Sequence, residues 1–189
     1  MNDFKQSLGL VVVAVLGFVF VLGQLNLGEA RADWPHAEPL SRSAPAKLII
    51  PTIGVATPII TVGVQRNGRM AVPPMSEADK AAWFRHGPVP GESGAAVIVG
   101  HVDSTSGPAV FYRIKELEAG DLITVMRKDG ELVRFKVSSI VTVSKAKFPA
   151  EKVYELTDRS VLRLISCGGR FDQESQTYTE NVIVYAKLI

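Results

Sequence analysis

From Ala46 onward the hydrophobic positions fall into short, β-branched runs: Leu48 to Ile50, Ile59 to Val62, Ala96 to Val99, Leu122 to Met126, Leu132 to Val143, Val161 to Ser166 and Val182 to Ala186. Each run is bounded by Gly, Pro, Asp or Asn, and several short strands punctuated in this way imply an all-β sandwich or barrel. In Leu132 to Val137 the apolar residues Val133, Phe135 and Val137 alternate with Arg134 and Lys136, the period-2 mark of a half-buried strand. Lys128-Asp129-Gly130 precedes that run and reads as a turn in which Gly supplies a positive φ, so Leu122 to Ile140 is expected to be a hairpin. Helical signal is confined to Ser76 to Phe84, where Ser76 is placed to cap and Glu77 sits in the first turn, and to Ala109 to Ile114. No long helices alternate with the strands, which argues against a doubly wound parallel sheet.

Ahead of the β-rich body stands a different pattern. Leu8 to Leu22 is an uncharged apolar run, extended weakly through Leu25 and Leu27. It approaches the roughly 20 residues that a membrane-spanning helix needs. Ala30-Arg31-Ala32 has the small-x-small form of a signal-peptidase site, so residues 1–28 are expected to be either an N-terminal apolar anchor helix or a cleaved signal. Lys5 precedes the run while Glu29 and Asp33 flank Arg31 after it, which favours a cytoplasmic N-terminus and an exported body. Both readings export the domain, as a single-pass membrane protein with an extracellular body or as a secreted one. Residues 29–45 are polar, proline-bearing and free of apolar periodicity, and read as a linker. The body is residues 46–189.

Composition narrows the function classes. With 189 residues and 47% apolar content the chain can bury one good core. The net charge is +2 and its lysines and arginines are dispersed, so no basic stripe marks a nucleic-acid partner. The single cysteine, Cys167, excludes an internal disulfide framework and a cysteine-based zinc site.

Cys167 follows the run Val161 to Ile165 and precedes Gly168-Gly169, which reads as a thiol at a strand tip where the backbone turns. Such a place fixes a nucleophile while the glycines let a substrate backbone approach. A buried structural cysteine is the other reading of the same position. His101 follows Ala95 to Val99 through Gly100, again at a strand end; it fits either a general acid–base partner or a turn histidine bonded to backbone. His86 and the linker residue His36 have no strand to present them and read as structural or solvated. Arg170, just beyond the glycines, fits a donor to a developing oxyanion or an ordinary surface arginine paired with Asp172. Arg163 alternates with apolar neighbours and is expected to face solvent.

Taken together, Gly100-His101-Val102-Asp103-Ser104, Leu164-Ile165-Ser166-Cys167-Gly168-Gly169 and the closing Asn181-Val182-Ile183-Val184-Tyr185-Ala186 resemble a class F sortase. The likeness extends over Leu48 to Val55, Met70 to Met75, Trp83 to Pro90 and Gly107 to Tyr112, so it spans about Pro45 to the C-terminus. It implies an eight-stranded sortase-type β-barrel with short helices and an extracytoplasmic cysteine transpeptidase that needs no cofactor or metal. By that resemblance Cys167 attacks a Leu-Pro-x-Thr-Gly-like (LPXTG-like) sorting signal between Thr and Gly. A thioester forms, His101 protonates the leaving amine, and an amine acceptor, a cell-wall precursor or a pilin lysine, resolves the acyl-enzyme. Sortases usually take an arginine from the strand after the cysteine. Aligning that strand puts Asn181 at its place, so the role passes to Arg170, the one arginine after Cys167, with Asn181 as a substrate contact. Two rival readings are an L,D-transpeptidase, whose Ser-His-Gly-Cys pattern Ile165-Ser166-Cys167 lacks, and a non-catalytic membrane-tethered β-module.

Overall fold

The computed structural model describes residues 42–189, and the apolar segment, His36 and most of the linker lie outside the described residues. The described residues form ten strands: β1 (Pro45–Ile50), β2 (Val55–Val62), β3 (Ala81–Phe84), β4 (Gly94–Val99), β5 (Asp103–Ser104), β6 (Gly107–Pro108), β7 (Leu122–Arg127), β8 (Leu132–Ser144), β9 (Ser160–Asp172) and β10 (Thr177–Leu188). Eight of them close into a barrel in the order β1-β2-β3-β4-β9-β10-β8-β7, while β5 and β6 make a separate two-stranded ribbon. Among the described residues the one α-helix, α1 (Ala150–Val153), is a single turn. Among the described residues no helix is long and apolar enough to cross a membrane.

Closure follows from the hydrophobic alternation. Leu48, Ile98, Phe135, Leu162, Leu164 and Val184 point inward and are buried together in the barrel core. Their odd-numbered neighbours on β4, β9 and β10 point outward, yet Val97, Val99, Ile165, Ile183 and Tyr185 are buried as well. The segment between β8 and β9 covers them, through Val153 and Phe148. With both faces covered, β4 is a continuous apolar run rather than an alternating one, and all six of its residues are buried. The expected hairpin is present: β7 pairs with β8 from Leu122↔Lys136 to Met126↔Leu132, and Gly130 takes φ +89° in the turn.

Three expectations need correction. Ser76 to Phe84 is not a helix: one 3-10 turn, Met75–Glu77, leads into β3, which pairs in parallel with β2 and antiparallel with β4. Ala81 and Ala82 are fully buried there, so tertiary pairing overrides the helical preference of an alanine-rich segment. Ala109 to Ile114 forms turns, and a 3-10 turn follows only at Ile114–Glu116. Arg163 does not reach solvent. It is 4% exposed, donates to Glu155 Oε1 at 2.5 Å and lies over the Tyr185 ring, 4.6 Å from its centroid. Alternation did turn Arg163 away from the barrel core, but onto a face that the β8–β9 segment covers.

Candidate active site

Register between β4 and β9 builds the site. The two strands run parallel from Gly94↔Ser160 to Val99↔Ile165. The zipper continues one step further, with Gly100 N–H donating to the Ile165 carbonyl at 3.1 Å and Ser166 Oγ donating to the Gly100 carbonyl at 3.0 Å. His101 is thereby carried alongside Cys167. On the other side of β9, β10 pairs Asn181 directly with Cys167. Three predicted residues therefore come to one level on adjacent strands, and alternation from Val99, Ile165 and Ile183 puts all three on the outer face of the barrel.

Gly100 makes this join possible. A Cβ at that position would lie 2.6 Å from Phe111 Cδ2 and 2.6 Å from Val110 Cγ1. Phe111 is fully buried, and its N–H donates to the His101 carbonyl at 2.9 Å, so the segment after the histidine is packed against the strand end that carries it. The imidazole is fixed too. His101 Nε2 lies 2.7 Å from the Pro73 carbonyl, which can only accept, so Nε2–H is the donor of this bond. Cys167 is half-buried with a free thiol. Among the described residues no hydrogen bond joins it to His101.

Cys167 does not end its strand as expected. β9 runs on to Asp172 and pairs with β10 as far as Thr177↔Asp172. Gly168 and Gly169 serve this extension instead of terminating it. A Cβ on Gly168 would meet Val182 Cγ2 at 2.8 Å, and Gly169, at φ +77°, sits in a register shift of the β9–β10 ladder. Arg170 follows it and is exposed, with its N–H donating to Thr179 Oγ1 at 3.2 Å. It is not engaged with Asp172, whose carboxylate accepts from the Glu174 N–H at 2.9 Å and is held below the usual carboxylate range by that and further bonds in its own turn.

A further pair closes the same end of the barrel. Tyr178, next to the bulge, donates its hydroxyl to Asp103 Oδ2 on the ribbon that follows His101, and its ring meets Phe171 edge-on at 5.3 Å. The Asp103 bond, burial, the carboxylate charge and smaller contributions from Cys167 and Tyr112 push the phenol up to about 12. Tyr178 and Asp103 had no role in the sequence reading, although Asp103 lies within the motif around His101. His86 is exposed, as expected, edge-on to Phe84 at 5.5 Å. Among the described residues no group of His, Cys, Asp and Glu is arranged to hold a metal ion. A hollow of about 360 Å³ lined by Phe148 to Lys152 opens on the covering segment.

Comparison with known proteins agrees with this architecture. The model of the sortase domain matches residues 48–189, so the chain belongs to the sortase family, whose members are cysteine transpeptidases. Sortase C-1 from Actinomyces oris is similar at TM-score 0.60 and 18% identity, over 76% of this chain and 73% of that one. A lid mutant of sortase A from Corynebacterium diphtheriae is similar at 0.61 and 18%, over 79% and 72%. A Clostridium perfringens sortase D5 transpeptidase is similar at 0.57 and 22%, over 79% and 82%. No curated protein is found to match the chain. Family membership sets aside the L,D-transpeptidase and the non-catalytic module.

Proposed function

We propose that this sortase is of class F and that it cleaves an LPXTG-like sorting signal between Thr and Gly, with Cys167 as nucleophile. The observation that carries this reading is the register of β4 and β9, which sets His101 beside the only cysteine of the chain. In the proposed reaction the Cys167 thiol gives its proton to His101, Sγ attacks the Thr carbonyl, and the tetrahedral oxyanion is met by the Arg170 guanidinium. The C–N bond then breaks, His101 delivers a proton to the departing glycine amine, and a thioester remains on Cys167. An amine acceptor, a cell-wall precursor or a pilin lysine, attacks the thioester, and its proton returns to His101 as the thiolate leaves. Asn181, paired with Cys167 across the ladder, is placed to hold the peptide backbone of the signal.

The apolar run Leu8 to Leu22 supports a membrane tether that holds the body outside the cell, next to exported substrates and wall precursors. The test is incubation of the full chain in mild detergent with a library of Leu-Pro-x-Thr-Gly-like peptides and candidate amines. Cleavage and amide product with wild type, and neither with Cys167→Ala, support the reading. Failure with every peptide would remove the sorting-signal assignment.

A further inference from the structure

The β9–β10 ladder contains a one-residue bulge beside the nucleophile, and its geometry decides where Arg170 points. Asn181 pairs with Cys167 and Glu180 with Gly168, but the next pair is Tyr178 with Phe171. Three steps along β9 are therefore matched by two along β10, and Gly169-Arg170 together oppose Thr179. Gly169 adopts φ +77°, the left-handed conformation that opens bulges of this kind. Cross-strand partners share a face, so Gly168, Glu180, Tyr178 and Phe171 lie on one face, and Cys167, Asn181, Thr179 and Arg170 on the other. In an unbroken strand Arg170, three residues after Cys167, would point to the opposite face.

We infer that the bulge turns the Arg170 side chain onto the face of Cys167, and that Gly169 and Thr179 are the positioning residues that hold it there. Thr179 supplies the fixing contact, because its Oγ1 accepts the Arg170 N–H at 3.2 Å in place of a ladder carbonyl. Gly169 leaves no alternative at its own position, since a Cβ there would lie 2.7 Å from Thr179 Oγ1 and 2.7 Å from Glu180 Cγ. One extra residue thus gives a guanidinium on the nucleophile's face without an arginine on β10. The catalytic meaning of the inference rests on the proposed role of Arg170, but its geometry does not.

Alkylation of Cys167 in the full chain tests it, because the chain has no other thiol and the reagent needs no sorting peptide. The readout is the rate with anionic iodoacetate divided by the rate with neutral iodoacetamide; a cation on the thiol's face raises this ratio, by about threefold for a charge some 8 Å away in a solvated site. Arg170→Ala is expected to lower the ratio by that factor. Thr179→Val is expected to lower it equally, Thr179→Ser to retain it, and Thr179→Val in the Arg170→Ala background to change nothing further. The inference is overturned if Arg170→Ala leaves the ratio unchanged, if Thr179→Val leaves it unchanged, or if Thr179→Ser lowers it as much as valine does. Loss in the double variant beyond that of Arg170→Ala would equally overturn it, since Thr179 would then act by some other route. Absence of peptide cleavage by wild type would instead count against the transpeptidase reading alone.

Discussion

Replacing Gly100 by alanine adds one methyl group where the structure has no room for it. The new Cβ would sit 2.6 Å from Phe111 Cδ2 and Val110 Cγ1 and 2.8 Å from Phe111 Cε2, all on side chains. Carbon atoms prefer about 3.5–4.0 Å, so either the Phe111 segment or the end of β4 has to retreat by roughly 1 Å. Phe111 is fully buried and cannot swing into solvent. Overpacking of this kind costs about 1–3 kcal/mol. For a domain of this size each kcal/mol lowers Tm by roughly 2–4 °C, giving an expected fall of about 2–12 °C in a thermal melt. Activity is expected to suffer more than stability. The same strand end carries His101, the proposed acid–base partner, whose ring is tied to the Pro73 carbonyl at 2.7 Å, and a 1 Å misplacement of a group in that role can cost on the order of 100-fold. Peptide cleavage measured well below the lowered Tm is the assay. A Gly100→Ala protein with wild-type Tm and wild-type turnover would refute the claim that close packing behind Gly100 sets the histidine's position.

Other consequences can be checked in parallel. Arg170→Ala is expected to lower turnover of a sorting-signal peptide by about 10²–10³-fold, the usual cost of losing an oxyanion donor, with Tm within about 2 °C of wild type; near-normal cleavage would remove Arg170 from the site. Glu155→Gln leaves the 4%-exposed Arg163 without its carboxylate and is expected to destabilise by about 1–3 kcal/mol, while Arg163→Met with Glu155→Gln recovers most of the loss; equal denaturation midpoints for the two variants would contradict this. Tyr178, raised from 10 to about 12 in the folded chain, binds its proton more tightly folded than unfolded. Its contribution to stability is complete below pH 10 and declines as pH rises toward 12, so wild type should lose stability more steeply than Tyr178→Phe over that window in alkaline denaturation. Asp103→Asn is expected to move the phenol's ultraviolet titration back toward 10, and an unmoved transition would show that the carboxylate is not its cause.

The β-rich body was legible because most strands alternate or run apolar between turn residues, as in β8 and β4. β3 was hidden, since Ser76-Glu77 followed by Lys80-Ala81-Ala82-Trp83 satisfies the local rules for a helix. Only its pairing with β2 and β4, distant in sequence, makes it a strand. Arg163 shows a related limit. Period 2 reveals which residues leave the barrel core, but not that the segment around Val153 covers the outer face and closes over the guanidinium. The extension of β9 was masked by Gly168-Gly169, which read as a strand terminator; in the structure one glycine relieves contact with Val182 and the other opens a bulge. The strands that lead to Cys167 and His101 were legible as long apolar runs, but the adjacency of the two residues depends on parallel pairing of strands far apart in the chain. Tyr178 gave no local signal, because its partner Asp103 lies on a ribbon 75 residues away.

The proposed reaction passes through a covalent bond to Cys167, and intact-protein mass spectrometry reads that bond directly. The full chain, mixed with an LPXTG-like peptide and quenched in acid within the first turnovers, should gain the mass of the peptide through its threonine. Hydroxylamine should discharge that adduct, and Cys167→Ala should never form it. An adduct that persists in Cys167→Ala, or peptide cleavage by wild type without any acid-stable, hydroxylamine-sensitive adduct, would contradict the thioester mechanism.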